Sequence, residues 1–383
     1  MIATDILSET NDVRSLAAEW SSLVADSFSA TFSRAEWHLA WLDAFPPKQI
    51  AVVTARESGR LVGLLPMSLV RTDVRGLFLP LATSLARGDY QPLILAAGAA
   101  REVLPALLDA AIRHFGRHVV YWFPNIPSTD PALQFLLSHL QKRQMACATS
   151  TGVASRIRIG GRSYAEVEAG WSPRHRKEVR HKRQRLEALG ALRLWQPETL
   201  EEARTAVRDF FEVHDDKWLA QGQPARFHNP ANRRHFLAIL ERFWGRGLLF
   251  SALQCGEKKI YYSFNLVSDG WILLYRPALR VEYQRYSPGT VFLSLLLEHA
   301  CSSGMQGIDF LVGTEKFKLR WSNEALKVFG LHAAAHAWSP AFQWFARGKP
   351  YVLKHVEPAM ARAKARWQRA AAHRIVAQAS RAA

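Results

Sequence analysis

The sequence is short of cysteine, of acid relative to base, and of long apolar runs. Its three cysteines, Cys147, Cys255 and Cys301, stand far apart. No C-x-x-C pair and no zinc-type spacing joins them. That excludes a disulfide framework or a cysteine metal site and suits a reducing cytoplasm. No apolar run reaches the roughly 18 residues of a membrane span; the stretch from Leu61 to Val70 is broken by Gly63 and Pro66. The opening Met-Ile-Ala-Thr-Asp has no basic-then-apolar signal pattern. No G-x-S-x-G elbow supports serine hydrolase chemistry. His332 and His336 are four apart, as zinc ligands on a helix would be, but no third ligand is evident, so no metal is expected.

What is present is apolar mass and positive charge. The 383 residues are 49% hydrophobic, with 13 Trp and 20 Phe, which excludes disorder over most of the chain. Lys and Arg number 50 against 33 Asp and Glu, a formal net charge of +17. An excess of that size points to an anionic partner. It is concentrated. Trp171 to Arg185 holds seven basic residues and one acid, and Ala341 to the end holds nine and one. The first segment either grips a phosphate or anionic polymer or is a solvated helix face. The second mixes Trp344, Phe345, Tyr351 and Trp367 with cations, as interfacial helices do. It is expected to touch anionic membrane through residues 341–383, or to be an ordinary packed helix with a loose tail. A nucleic-acid partner is not expected, since no motif for one is present.

Periodicity places helices over 13–25, 34–45, 101–115, 131–143, 173–189, 201–219, 229–244 and 290–302. Strands are expected at 50–55, 61–65, 77–81, 92–95, 119–123, 155–159, 192–196, 248–254, 259–267, 271–277 and 308–312. The cysteines read as core residues of such segments. The order is α+β, and both halves share an outline of helices, meander, helix and strand. Units are expected at 1–150 and 151–338, with a basic tail at 339–383.

Chemistry concentrates between Trp271 and Trp321. Tyr286-Ser287-Pro288-Gly289-Thr290 opens an apolar helix. Unpaired N–H groups and the helix dipole make such a turn an anion site, with Gly289 allowing close approach and Arg285 adding charge. An ordinary helix cap by Ser287 or Thr290 is the alternative. Further on, Gly313-Thr314-Glu315-Lys316-Phe317-Lys318 follows a strand containing Asp309. Charged residues past a strand's carboxyl end are where an active site lies, or they form a solvated loop. There Glu315 is a candidate base and Lys318 a candidate phosphate or oxyanion ligand. His214, Lys217 and Trp218 share one helix and are candidates for lining an acceptor site.

These residues resemble the signature of the cellulose-biosynthesis (CelD/BcsL-type) acetyltransferases, members of the GNAT superfamily near the FemAB aminoacyl transferases. The resemblance rests on Tyr286 to Thr290, then Asp309-Phe310, Gly313, Glu315 and Phe317-Lys318. Ala30-Thr31-Phe32-Ser33 with Trp37 and Trp41, Leu64-Leu65-Pro66, Gly88-Asp89-Tyr90, the basic helix ending at Gly190, and His214 with Lys217-Trp218 recur in the same order. It covers about residues 15 to 325. It implies two GNAT-like domains in tandem, mixed sheets flanked by helices, and acyl transfer from acetyl-CoA or another acyl-CoA to an amine or hydroxyl in envelope or exopolysaccharide synthesis. It implies cofactor contacts at Tyr275, Arg285, Tyr286, Ser287, Gly289 and Thr290, and catalytic positions at Glu315, Lys318 and Asp309. The sequence departs from the pattern in two ways. Repeated glycines are missing around Gly289, and Phe317 stands where a tyrosine is common. Two other classes stay open: a non-catalytic protein binding anionic polymer or membrane, and a transferase using aminoacyl-tRNA. The expected location is the cytoplasm, peripheral at the inner face of the membrane.

Overall fold

The computed structural model describes residues 2–25, 31–47, 49–74 and 77–348. The first half opens with strand β1 (Ile2–Leu7) and helices α1 (Thr10–Ser15), α2 (Ala17–Ala25) and α3 (Ala35–Ala44). An antiparallel run follows: β2 (Ile50–Glu57), β3 (Arg60–Val74) and β4 (Leu77–Ser84). The two-residue β5 (Ile94–Leu95) pairs with β3. Helix α4 (Ala100–Phe115) crosses to β6 (Val120–Pro127), parallel to β4, and α5 (Leu133–Lys142) leads to β7 (Ala146–Arg158).

Helices α6 (Tyr164–Ala169) and α7 (Pro173–Glu187) join the halves. The second half retraces the first. Strand β8 (Leu192–Trp195) precedes α8 (Leu200–Ala220) and α9 (Pro230–Phe243). Antiparallel β9 (Leu248–Cys255), β10 (Lys258–Ser268) and β11 (Trp271–Leu279) come next. Helix α10 (Pro288–Ser302) crosses to β12 (Gly307–Val312), parallel to β11, and α11 (Lys316–Trp321) leads to β13 (Glu324–Ala334).

All these strands join one sheet, in the order β1-β2-β3-β4-β6-β13-β7-β12-β11-β10-β9-β8, with β5 beside β3. The halves exchange their last strands. Strand β7 pairs with β12, β13 pairs with β6, and the two pair with each other at the centre. Position 150, where a unit boundary was expected, lies inside β7. Both β1 and β13 were unexpected, and β7 is longer than the expected 155–159.

Helix chemistry follows its surroundings. Helix α10 is apolar on nearly every side because it is buried against the sheet, with Val291, Phe292, Leu296 and Leu297 inside. Helix α7 is the opposite. Ser172 caps it, Pro173 occupies its first turn, and only His175, Val179 and Leu186 are buried. Cys255 is buried, but Cys147 is exposed, against the expectation of a core residue. His332 lies in β13, stacked on Trp122, so His332 and His336 are not paired on a helix face. No group of three or more His, Cys, Asp or Glu among the described residues is placed to hold a metal ion. No helix among them is long and apolar enough to cross a membrane. Residues 349–383, which carry most of the expected basic tail and membrane contact, lie outside the described residues. Before them, α12 (Pro340–Gln343) buries Ala341 and Phe342.

Gly307 lies at a close approach of β12 to β7. A Cβ there would stand 2.1 Å from the Ile157 carbonyl oxygen and 2.7 Å from the Trp271 ring. Backbone cannot yield as a side chain can, so Gly307→Ala must push β7 from β12. We expect a loss of at least about 1–3 kcal/mol, read as a lower midpoint in chemical denaturation. An unchanged midpoint would contradict this packing.

Candidate active site

The sheet opens where β11 leaves β12. Their pairing covers only Trp271–Leu273 against Gly307–Asp309. Beyond it, Leu274 to Pro277 on β11 and Phe310 to Val312 on β12 line a cleft of about 550 Å³. A bulge helps part them. The register of β12 against β7 shifts between Asp309 and Val312, and Leu311 takes a left-handed φ of 59°.

Tyr275, Ser287, Gly289, Thr290, His214, Lys217, Trp218, Glu315 and Lys318 all line this one cleft. Ser287 adopts a left-handed conformation (φ 56°), and its hydroxyl makes no capping bond, so the expected alternative of a Ser287 cap does not apply. Backbone held in that region by a non-glycine residue is a feature of ligand sites. A Cβ on Gly289 would meet the Tyr261 ring at 3.1 Å. Arg285 and Tyr286 border the cleft without lining it. Two guanidinium groups stand over the Tyr286 ring, Arg285 at 4.8 Å and Arg185 of α7 at 5.2 Å. Lys182 of α7 reaches Thr290 Oγ1 at 3.5 Å. The basic helix therefore flanks the anion turn.

Lys318 is buried, with Nζ 2.9 Å from Glu315 Oε2 and 3.3 Å from the Val312 carbonyl. Desolvation pushes the Glu315 carboxyl up, but the Lys318 ammonium outweighs it and holds that carboxyl below the usual glutamate value. Asp309 does not line the cleft. Fully buried beneath it, its carboxylate accepts from Tyr90 Oη (2.8 Å), Arg156 Nε (2.7 Å) and the Leu311 N–H (2.7 Å).

His214 is buried, and burial is the main reason its pKa falls to about 4. It is neutral at pH 7, with Trp218 Nε1 donating to its Nε2 at 3.1 Å and Asp215 facing its Nδ1 at 3.3 Å. Burial also lowers the pKa of Lys217.

Asp89 and Arg276 are among the lining residues that were not expected. Asp89 arrives from the first half of the chain. Burial raises its carboxyl above the ordinary aspartate value; Arg276 and Lys318 pull it down, and Asp309 and Glu315 push it up. Arg276 joins it, with a buried Nε that has no partner. The buried Nε of nearby Arg226 is also without a partner, and burial beside Arg276 and Arg87 depresses its pKa. Only Gly88-Asp89-Tyr90 in the shared motif order hinted at Asp89.

Residues 173–319 match the family model described as an acetyltransferase (GNAT) domain. That span runs from the first residue of α7 into α11, so it contains the anion turn and the opened edge. No curated protein matches the sequence. Among solved structures, the chain is similar to FemX, with 12% identity and a TM-score of 0.58 over 84% of this chain and 96% of that one. It is similar to L-PGS from Bacillus licheniformis, with 11% identity and a TM-score of 0.51 over 86% and 92%. A conserved protein of unknown function from Bacteroides thetaiotaomicron gives 12% and 0.50 over 87% and 100%. At these identities the likeness is one of fold. Residues 173–319 thus match a GNAT acetyltransferase domain, which supports an acyltransferase, and the chain has a GNAT-like mixed sheet flanked by helices.

Proposed function

We propose that this chain is an acyl-CoA-dependent N- or O-acyltransferase working by direct transfer. One observation carries the reading: a single cleft gathers the uncapped α10 turn, the opened β11–β12 edge and the Asp89, Glu315 and Lys318 group. The donor's pyrophosphate rests on Ser287, Gly289 and Thr290, flanked by Lys182, Arg185 and Arg285. Its acyl arm lies between the parted strands, with the thioester near Tyr275, where a backbone N–H polarises the carbonyl. The acceptor enters beside His214, Lys217 and Trp218. Its nitrogen or oxygen attacks the carbonyl, the C–S bond breaks, and the sulfur leaves with the bonding pair as the thiolate of CoA, which takes its proton from solvent. Asp89 takes the acceptor's proton. Its raised pKa supports that role better than Glu315, which the Lys318 ion pair makes a weaker base. Asp309 acts through Leu311 and Tyr90 as a positioning residue. The unpartnered buried Nε of Arg276, which lines the cleft, favours an acceptor that carries an anionic group. The resemblance of Tyr286 to Lys318 to the cellulose-biosynthesis acetyltransferases supports a place in envelope or exopolysaccharide synthesis.

Ligand binding tests the donor. A ligand at a hundredfold excess over its Kd stabilises by about 2.7 kcal/mol, so acetyl-CoA should raise Tm by a few degrees. Gly289→Glu should abolish the shift while retaining a cooperative unfolding transition, because it sets a carboxylate where the phosphates bind. If no CoA thioester moves the wild-type Tm, the donor reading fails, and binding of anionic polymer or an aminoacyl-tRNA donor takes its place.

A further inference from the structure

A second cleft, of about 570 Å³, opens at the N-terminus of α7. Arg162, Arg174 and Arg320 line it, and Glu178 is its only acid. Arg174 is exposed, with no ion pair among the described residues. Arg320 meets Glu178 at 3.3 Å while more than half of its side chain stays in solvent. Arg162 bonds the backbone carbonyls of Ile159 and Arg158. The cleft is therefore positive, and the first turn of a 15-residue helix adds its dipole.

A buried group independently marks this place as incomplete. His175 lines the cleft and is 7% exposed, and neither of its ring nitrogens has a hydrogen-bond partner. Its ring stands edge-on between Trp171 (5.0 Å) and Trp321 (4.8 Å). Buried polar groups left so are rare and costly without a partner. Burial depresses the His175 pKa, with Glu178 opposing and Arg320 and Lys182 adding to the fall, so the neutral ring offers one donor and one acceptor.

The two clefts are neighbours. Arg320 and Trp321 line both. Glu178, at the edge of the second, bonds Lys182 at 2.5 Å, and Lys182 touches Thr290 of the anion turn. Those two α7 residues are one turn apart, about 6 Å along the axis. A ribose and base attached to a pyrophosphate at the turn would enter the second cleft by extending along α7. Arginine forks suit a phosphomonoester, and the tryptophan edges suit a purine.

We infer that this second cleft seats the 3′-phosphorylated nucleoside end of the donor, with Arg174 as a phosphate ligand and α7 as the bridge from the pyrophosphate turn. The inference rests on the acyl-CoA reading. Calorimetry with CoA and with dephospho-CoA, which lacks the 3′-phosphate, tests the two separately. Wild type should bind CoA about tenfold or more tighter than dephospho-CoA, the worth of one or two charge-assisted hydrogen bonds. Arg174→Ala should erase most of that ratio and leave dephospho-CoA affinity unchanged. Arg180→Ala, an exposed arginine of the same helix outside the cleft, should keep the ratio. Equal wild-type affinity for the two ligands overturns the inference and leaves the donor reading standing. An equal effect of Arg180→Ala overturns it too, by reducing Arg174 to bulk charge. No binding of either ligand overturns both readings.

Discussion

Asp89→Asn lowers kcat by about 10²- to 10⁴-fold, the range for loss of a general base, while the donor KM stays near wild type. The substitution keeps shape and removes only the proton acceptor. Asp89 qualifies on position, since it lines the cleft beside Lys318 and Arg276, and on environment, since burial raises its carboxyl. A base works only when deprotonated. The wild-type rate must therefore fall as pH drops through a pKa above the ordinary aspartate value of 3.8. The Asn variant has no such acid limb. Glu315→Gln should cost less than about tenfold, because its carboxylate already holds Lys318 and its pKa is depressed. A pH profile of kcat/KM for the three proteins decides the matter. If Asp89→Asn retains the acid limb, or Glu315→Gln proves the more damaging, the base is Glu315.

The sequence exposed the part of this site that lies within continuous stretches. Tyr275, Ser287, Gly289, Thr290, Glu315 and Lys318 fall within one strand–turn–helix–strand passage, and local signals suffice to bring such residues together. His214, Lys217 and Trp218 sit on one face of a strongly periodic helix. Asp89 was read as part of the shared Gly88-Asp89-Tyr90 motif and given no role, because its place depends on packing between halves. The adjacent Tyr90 bonds Asp309 across 219 positions of sequence. The exchanged strands escaped for a related reason. The first nine residues of β7, Ala-Cys-Ala-Thr-Ser-Thr-Gly-Val-Ala, are small and largely outside the core, and β13 ends in Leu-His-Ala-Ala. Neither segment has the β-branched alternation of an obvious strand. Each is a strand because the other half supplies its partner. The basic helix was separated from the chemistry for the same reason: only the folded chain sets Lys182 against Thr290.

The buried network below the cleft should respond most in stability. Arg156→Met is expected to cost about 3–5 kcal/mol, because it leaves a buried carboxylate without its cation. Asp309 is wholly enclosed, and burial pushes its carboxyl up against the opposing pull of Arg156. Methionine replaces much of the stem but loses the Nε bond at 2.7 Å and the guanidinium contact with Trp271 at 4.8 Å. Without Arg156, the folded-state pKa of Asp309 moves further above its unfolded value. A carboxyl raised in this way supports the fold where it is protonated, and loses that contribution as pH rises through the folded value. The deficit of Arg156→Met should therefore shrink on acidification and widen toward alkaline pH. A packing defect alone would not follow pH. Denaturant titrations at several pH values separate the two, and a loss that stays constant with pH would refute the charge account. Adding Asp309→Asn to Arg156→Met should restore part of the stability by removing the orphaned charge. It should not restore turnover. Asp309 also accepts from the Leu311 N–H inside the bulge and from Tyr90, the neighbour of Asp89, so the carboxylate that burdens the fold also holds the opened edge and the base in place.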